Sequence, residues 1–205
     1  MKDLSNSTID TTRAALGAGE TTVAELTRAF LDRIDKLDSK GLSLNAVRSI
    51  NPDALAIAAK LDASKRKQSR PLEGIPILLK DNIATGDRQP TTAGSLALAD
   101  AKARRDATVT KLLRDAGALI LGKANLTEFA NFLAVGMPSG YSSLGGQVRN
   151  PWAPNLFRAN IPVVQPGGSS AGSGVAVAAG LALATIGSET SGSLLSPANS
   201  RAWSR

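Results

Sequence analysis

The chain predicts an α/β fold, a mixed β-sheet core flanked by helices on both faces. Three observations lead there. Short apolar runs recur between polar stretches, as "GIPILL" and "ALILG" do, and read as buried strands. Segments with apolar residues at helical spacing separate them. Strands alternating with helices bury both faces of a sheet under helical layers.

The elements follow in order. Thr22 and Glu25 fit a capping box, and Val23, Leu26, Phe30, Ile34 and Leu37 continue it at helical spacing. Asn51-Pro52 reads as the cap and first turn of a second helix reaching about Lys67. "GIPILL" is the first strand. Residues 107–116 read as a helix stopped by Gly117. "ALILG" at 118–122 is another strand, and "NLTEFANFL" opens a helix on an Asn cap. From Ala134 to Gly168 the chain is rich in Gly, Pro, Ser and Asn, an irregular excursion of a length associated with function or motion. Residues 171–184 form a small-residue helix and "ATIG" a last strand. No internal repeat or low-complexity segment interrupts the pattern.

Composition narrows the function. With 205 residues, 42% hydrophobic and 20% charged, the chain supports one domain with a real core. It has no cysteine, hence no disulfide framework and no thiol nucleophile. The polar N-terminal twenty residues lack the apolar core of a signal peptide, and no run is long enough for a membrane span. A cytoplasmic location without membrane attachment is expected. The net charge of +7 raises a nucleic-acid reading, with Lys65, Arg66, Lys67 and Arg70 as its densest cluster. Aromatics make up only 3% and none interleaves with those basic residues, so a solvated helix end and loop is expected there, not a nucleic-acid surface.

The chemistry concentrates in "PGGSSAGSGVAVAAG", residues 166–180. Gly168-Ser169-Ser170-Ala171-Gly172 matches the G-x-S-x-G elbow of hydrolases. That elbow needs a histidine base, and the chain contains no histidine. A phosphate-binding P-loop lacks its Gly-Lys-Ser/Thr ending. Without His or Cys, no metal or cofactor is expected. The plain structural alternative is a helix N-terminus with serine caps. A serine nucleophile here needs another base, and a lysine made neutral by burial can serve. Lys80 directly follows "GIPILL"; Lys123, after "ALILG", is the similar rival. A Ser-x-x-Lys pattern at Ser64 to Lys67 lies in a polar linker and lacks its companion motifs.

Three separated motifs resemble the amidase signature family, in the family's order and spacing: "LEGIPILLKDNIATGDRQPTTAGS", "PGGSSAGSGVAVAAG" and "IGSETSGSLLSPA". The resemblance runs from near Thr22 to about Asn199. "ANFLAVGMPSGYSSLGGQVRNPW" is similar to the branch containing bacterial peptide amidases and fungal amidases. The resemblance implies a Ser–cis-Ser–Lys triad. Lys80 would be the base, Ser169 the bridging serine after a cis bond, and Ser193 the nucleophile 24 residues on. Main-chain N–H groups near Thr190, Ser191, Gly192 and Ser193 would form the oxyanion hole. The implied reaction is hydrolysis of a carboxamide C–N bond through an acyl-enzyme, on a small-molecule or peptide amide. The alternatives are an A-subunit-like component of a tRNA-dependent amidotransferase, or a non-catalytic fragment. Ser191 and Leu195 depart from the commoner family pattern, which has Gly and Arg there; these mark a subgroup.

Family members generally run to more than twice this length. The chain is therefore expected to be the N-terminal portion of one amidase domain, an incomplete sheet with an exposed edge, aggregating or poorly folded alone and with little or no activity. "RAWSR" at 201–205 is expected to be an out-of-frame reading. One codon choice for these residues, CGG-GCG-TGG-TCG-CGN, taken from the third base, gives Gly-Val-Val-Ala, close to the family's continuation; the alternative is a real short tail. Sequencing the coding DNA is expected to show an amidase-like reading in the shifted frame. Its absence there would reject the idea.

Overall fold

The computed structural model describes residues 7–64 and 70–202. The basic residues 65–67 and residues 203–205 of the C-terminal "RAWSR" lie outside the described residues, as does the lysine of the Ser64-x-x-Lys67 pattern.

Helix α1 spans Ile9–Ala18 and α2 spans Val23–Arg33. The Thr22–Glu25 box caps α2 reciprocally: Glu25 N donates to Thr22 Oγ1 at 3.1 Å and Thr22 N to Glu25 Oε2 at 2.9 Å. The next two N–H groups, of Val23 and Ala24, reach the Asp62 carboxylate at 2.8 and 2.9 Å. Those bonds tie α2 to α3, which spans Ala54–Ala63. After Arg33 the helix widens into a π-turn over Ile34–Lys40. This swings Asp38 inward, where it accepts from Ala46 N and Val47 N at 2.7 and 3.0 Å. Burial pushes the Asp38 carboxyl up to about 6.

Strand β1 is Val47–Ile50, β2 Pro76–Lys80 and β3 Leu119–Ala124, with α4 (Thr108–Asp115) between the last two. The excursion after β3 holds two minimal hairpins, β4 (Tyr141–Ser142) with β5 (Gly146–Gln147) and β6 (Phe157–Arg158) with β7 (Ile161–Pro162). Then come α5 (Ala171–Ala178), β8 (Ala184–Ile186) and α6 (Leu195–Ala202). The main sheet runs β1-β3-β2-β8; β2 is parallel to β3 and β8, and β1 is antiparallel to β3.

Alternation in the two central strands makes two cores. Leu78, Leu119 and Leu121 face one side, with Leu26 and Phe30 of α2, Ala54 and Ala58 of α3, and Val175 and Ala176 of α5. Ile77, Leu79 and Ile120 face the other, where Ile9 of α1 and Leu113 of α4 cover them. Both faces of the sheet thus carry helices, and the mixed strand directions agree with the expected fold class. No helix among the described residues is long and apolar enough to cross a membrane.

Several local expectations are corrected. The second helix starts at Ala54, because the Asn51 side chain donates to Ile120 O at 2.8 Å and folds Asp53 into a turn. Its regular part ends at Ala63, short of Lys67. "NLTEFANFL" forms only a 3₁₀ turn, Glu128–Asn131, with Phe129 and Ala130 in the left-handed region. The expected cap, Asn125, is instead buried, donating to Asn45 O and Gly145 O at 3.0 and 3.1 Å. Thr127 N is drawn to Ser169 O at 3.0 Å. Tertiary bonds therefore take the groups a helix would need. The small-residue helix ends at Ala178, with Gly180 at φ 65° reversing the chain. Helices α1 and α6 and strand β1 are not foreseen in the sequence reading.

Gly172 lets α5 lie against the sheet. A Cβ there would collide with the main-chain oxygens of Asn125 and Ala46. Gly172 N meanwhile donates to Asn125 O at 3.0 Å. The variant Gly172→Ala is expected to lose about 1–3 kcal/mol of stability through forced displacement of α5. A urea unfolding midpoint unchanged from wild type would contradict that reading.

Candidate functional site

The site lies at the carboxyl ends of β2 and β8, where the chain enters α5. This is where parallel sheets commonly hold their ligands. Lys80 is the last residue of β2 and is 2% exposed. The apolar strand before it keeps the side chain almost wholly out of water. Burial is the cause that pushes the Lys80 amine down to about 8. Its Nζ donates to Ser169 Oγ at 2.7 Å and to the Ser188 carbonyl at 3.1 Å.

Ser169 is 5% exposed and follows a cis peptide bond from Gly168. Its hydroxyl donates to Ser193 Oγ at 3.0 Å. Ser193 is half-buried. Lys80, Ser169 and Ser193, separated by 89 and then 24 residues in sequence, thus form one unbroken line of polar contacts. They border a cavity of about 450 Å³, whose other walls include Asn82, Phe132, Glu189 and Thr190.

Lys123, the rival amine, is fully buried and pushed down to about 8, mainly by burial. Its Nζ donates to Ile83 O at 2.6 Å and Thr91 Oγ1 at 3.0 Å, neither of which borders the cavity. Of the two depressed lysines, Lys80 is the one that touches the serines. Arg70, the described member of the basic cluster, pairs with Glu73 through Nε–Oε2 at 2.5 Å.

The loop 189–193 is held by a residue that sequence reasoning misses. The Glu189 carboxylate accepts from Gly192 N at 2.8 Å, Leu194 N at 2.6 Å and Leu195 N at 3.1 Å. These bonds push the Glu189 carboxyl down. Gly192 N–H, expected among the oxyanion donors, is therefore committed to Glu189. The N–H groups of Thr190, Ser191 and Ser193 have no acceptor among the described residues. A usable signal is a carboxylate just ahead of α6, where unpaired helix N–H groups collect. Asn82, Ser170 and Ser188 are also missed. Asn82 Nδ2 donates to Ser188 Oγ at 2.8 Å, and Ser170 contacts both main-chain groups of Ser188.

The arrangement supplies a serine hydroxyl, a second hydroxyl in line behind it, and a desolvated amine as the proton's destination. Such a set suits attack on a carbonyl carbon.

Comparison with known proteins agrees in fold and sequence. The family model described as Amidase matches residues 25–201. The chain is 42% identical over 183 residues to a putative amidase of Arthroderma benhamiae, covering 88% of this chain and 29% of that protein. It is 42% identical over 202 residues to the A subunit of the glutamyl-tRNA(Gln) amidotransferase of Chloroflexus aurantiacus, covering 97% and 38%. Among solved structures, the native peptide amidase from Stenotrophomonas maltophilia superposes with a TM-score of 0.82 at 46% identity, covering 92% of this chain and 37% of that one. An amidase family protein from Bacillus anthracis gives 0.86 at 42% identity, covering 94% and 37%. The chain spans about a third of the length of these relatives. On a family match across most of its residues and on the shared fold, the chain belongs to the amidase family.

Proposed function

We propose that the protein carrying this sequence hydrolyses a carboxamide through an acyl-enzyme on Ser193, with Ser169 relaying the proton to Lys80. The observation that carries this reading is the line of contacts Lys80 Nζ–Ser169 Oγ–Ser193 Oγ, at 2.7 and 3.0 Å.

The direction of that line depends on one proton. While Lys80 is an ammonium, it donates to Ser169, which donates to Ser193. The Ser193 oxygen then holds an accepted hydrogen bond and is a poor nucleophile. When the amine loses its proton, both bonds reverse. Ser193 O–H donates to Ser169, Ser169 O–H donates to the amine lone pair, and electron density gathers on Ser193 Oγ. Attack on the amide carbon moves a proton along this line to Lys80. The same line returns it to the leaving nitrogen as the C–N bond breaks. Water, activated along the same line, then releases the acid.

The developing oxyanion would be met by N–H groups of Thr190, Ser191 and Ser193, which face no competing acceptor among the described residues. Gly192 would serve by letting Glu189 brace the loop. The Stenotrophomonas structure is of a peptide amidase, and this supports a peptide or small-molecule carboxamide as substrate. No cofactor enters the scheme. The similarity to an amidotransferase component supports a second reading, in which released ammonia passes to a partner enzyme. Partner proteins co-purifying with the intact polypeptide would favour that second reading, and turnover of a simple amide by the protein alone would favour the first.

Three outcomes are expected with the intact polypeptide. Ser193→Ala abolishes covalent labelling by a fluorophosphonate probe, and Lys80→Ala slows it by roughly 10²–10⁴-fold; persistent labelling in the first variant would remove Ser193 as nucleophile. The labelling rate rises with pH along a single limb near 8, because the neutral amine is the working form and Lys80 holds its proton below about 8. A flat profile from about pH 6 to 9 would count against Lys80 as the base.

A further inference from the structure

Lys80 has two partners, and they are chemically unequal. Ser169 Oγ can donate or accept, whereas the Ser188 carbonyl can only accept. A neutral amine carries two N–H donors and one lone pair. An N–H pinned on Ser188 O fixes how the amine can rotate about its stem. With that N–H held, the lone pair has Ser169 as its hydrogen-bonding neighbour.

The carbonyl is itself held from both sides. Ser170 Oγ donates to Ser188 O at 3.1 Å and accepts from Ser188 N at 3.2 Å, so one hydroxyl grips both main-chain groups of a single residue. Asn82 Nδ2 holds the Ser188 side chain at 2.8 Å from just beyond the strand carrying Lys80. Ser170 N also donates to Ser193 O at 3.1 Å. Ser170 is 1% exposed and borders neither the cavity nor the amine. It therefore joins the element that aims the base to the residue that bears the nucleophile.

We propose that Ser170 is a positioning residue, acting through the Ser188 carbonyl to orient the Lys80 amine toward Ser169, with Asn82 bracing the same residue from the other side. This rests on the reading of Lys80, Ser169 and Ser193 given above. Ser173 is the internal comparison: it lies on α5, is 4% exposed, and its hydroxyl donates to Ile186 O at 3.4 Å, not to Ser188 or Lys80.

The test compares Ser170→Ala with Ser173→Ala in the intact polypeptide. Lysines carrying ¹³C at Cε are titrated by NMR, with the Lys80 signal assigned by its loss in Lys80→Arg. A carbonyl acceptor favours the charged amine, so loosening Ser188 is expected to lower the Lys80 midpoint by about half a pH unit or more in Ser170→Ala. Ser173→Ala is expected to leave it in place. Fluorophosphonate labelling is expected to slow about 10-fold or more in Ser170→Ala alone. Should Ser170→Ala not fold, Asn82→Ala, at an exposed position, is expected to move the midpoint in the same direction. A midpoint unmoved in Ser170→Ala and Asn82→Ala, or moved equally in Ser173→Ala, would overturn the proposal. Labelling that survives Ser193→Ala would overturn the underlying reading instead, and the two failures are read from different variants.

Discussion

The site depends on a charge that cannot be comfortably kept. Lys80 ends a strand whose every residue is buried, so its ammonium loses the water that would stabilise it. The only relief is to shed the proton or to share it with neighbouring oxygens. Sharing it engages Ser169 Oγ and the Ser188 carbonyl. What makes the amine unstable as a cation is what suits it to the proposed role of base. The rest of the fold keeps it dry and keeps two hydroxyls in line with it.

The fold does this with few elements. Alternation in β2 and β3 divides the apolar side chains between two cores, so the sheet is sealed on both faces. Helix α5 enters directly after Ser169 and Ser170, and its close seat at Gly172 carries those serines to the sheet's carboxyl edge. The next strand, β8, pairs with β2 and returns the chain past Lys80 at Ser188. Glu189 then gathers three N–H groups around Ser193. Lys80, Ser169 and Ser193 thus come from β2, the α5 entrance and the loop after β8.

Much of this is legible in the residues themselves. Apolar runs locate β2 and β3, the capping box locates α2, and the missing histidine directs attention to lysine. What composition and pattern do not separate is Lys80 from Lys123. Both follow buried apolar runs and both are depressed by burial; only spatial neighbours distinguish them. Strand β1 escapes because "VRSI" is half-buried throughout, on an antiparallel outer strand without alternation. The helix expected after Asn125 does not form because a propensity signal loses to long-range bonds, with Asn125 reaching Asn45 and Thr127 reaching Ser169. Glu189 escapes notice because its partners are main-chain groups, so its one trace in the sequence is a carboxylate placed just ahead of α6.

The second dry amine has a consequence of its own. Lys123 ties β3 to the segment after β2 through Ile83 and Thr91, and like Lys80 it releases its proton near pH 8, against 10.5 for an ordinary lysine. Between those values the unfolded chain binds more protons than the folded one, so these two groups make unfolding harder as alkalinity increases. Below about 8 both states are protonated and the cost of enclosing two cations is borne in full. The mildly alkaline conditions that free the Lys80 amine, the base of the proposed reading, thus also relieve the interior that confines it.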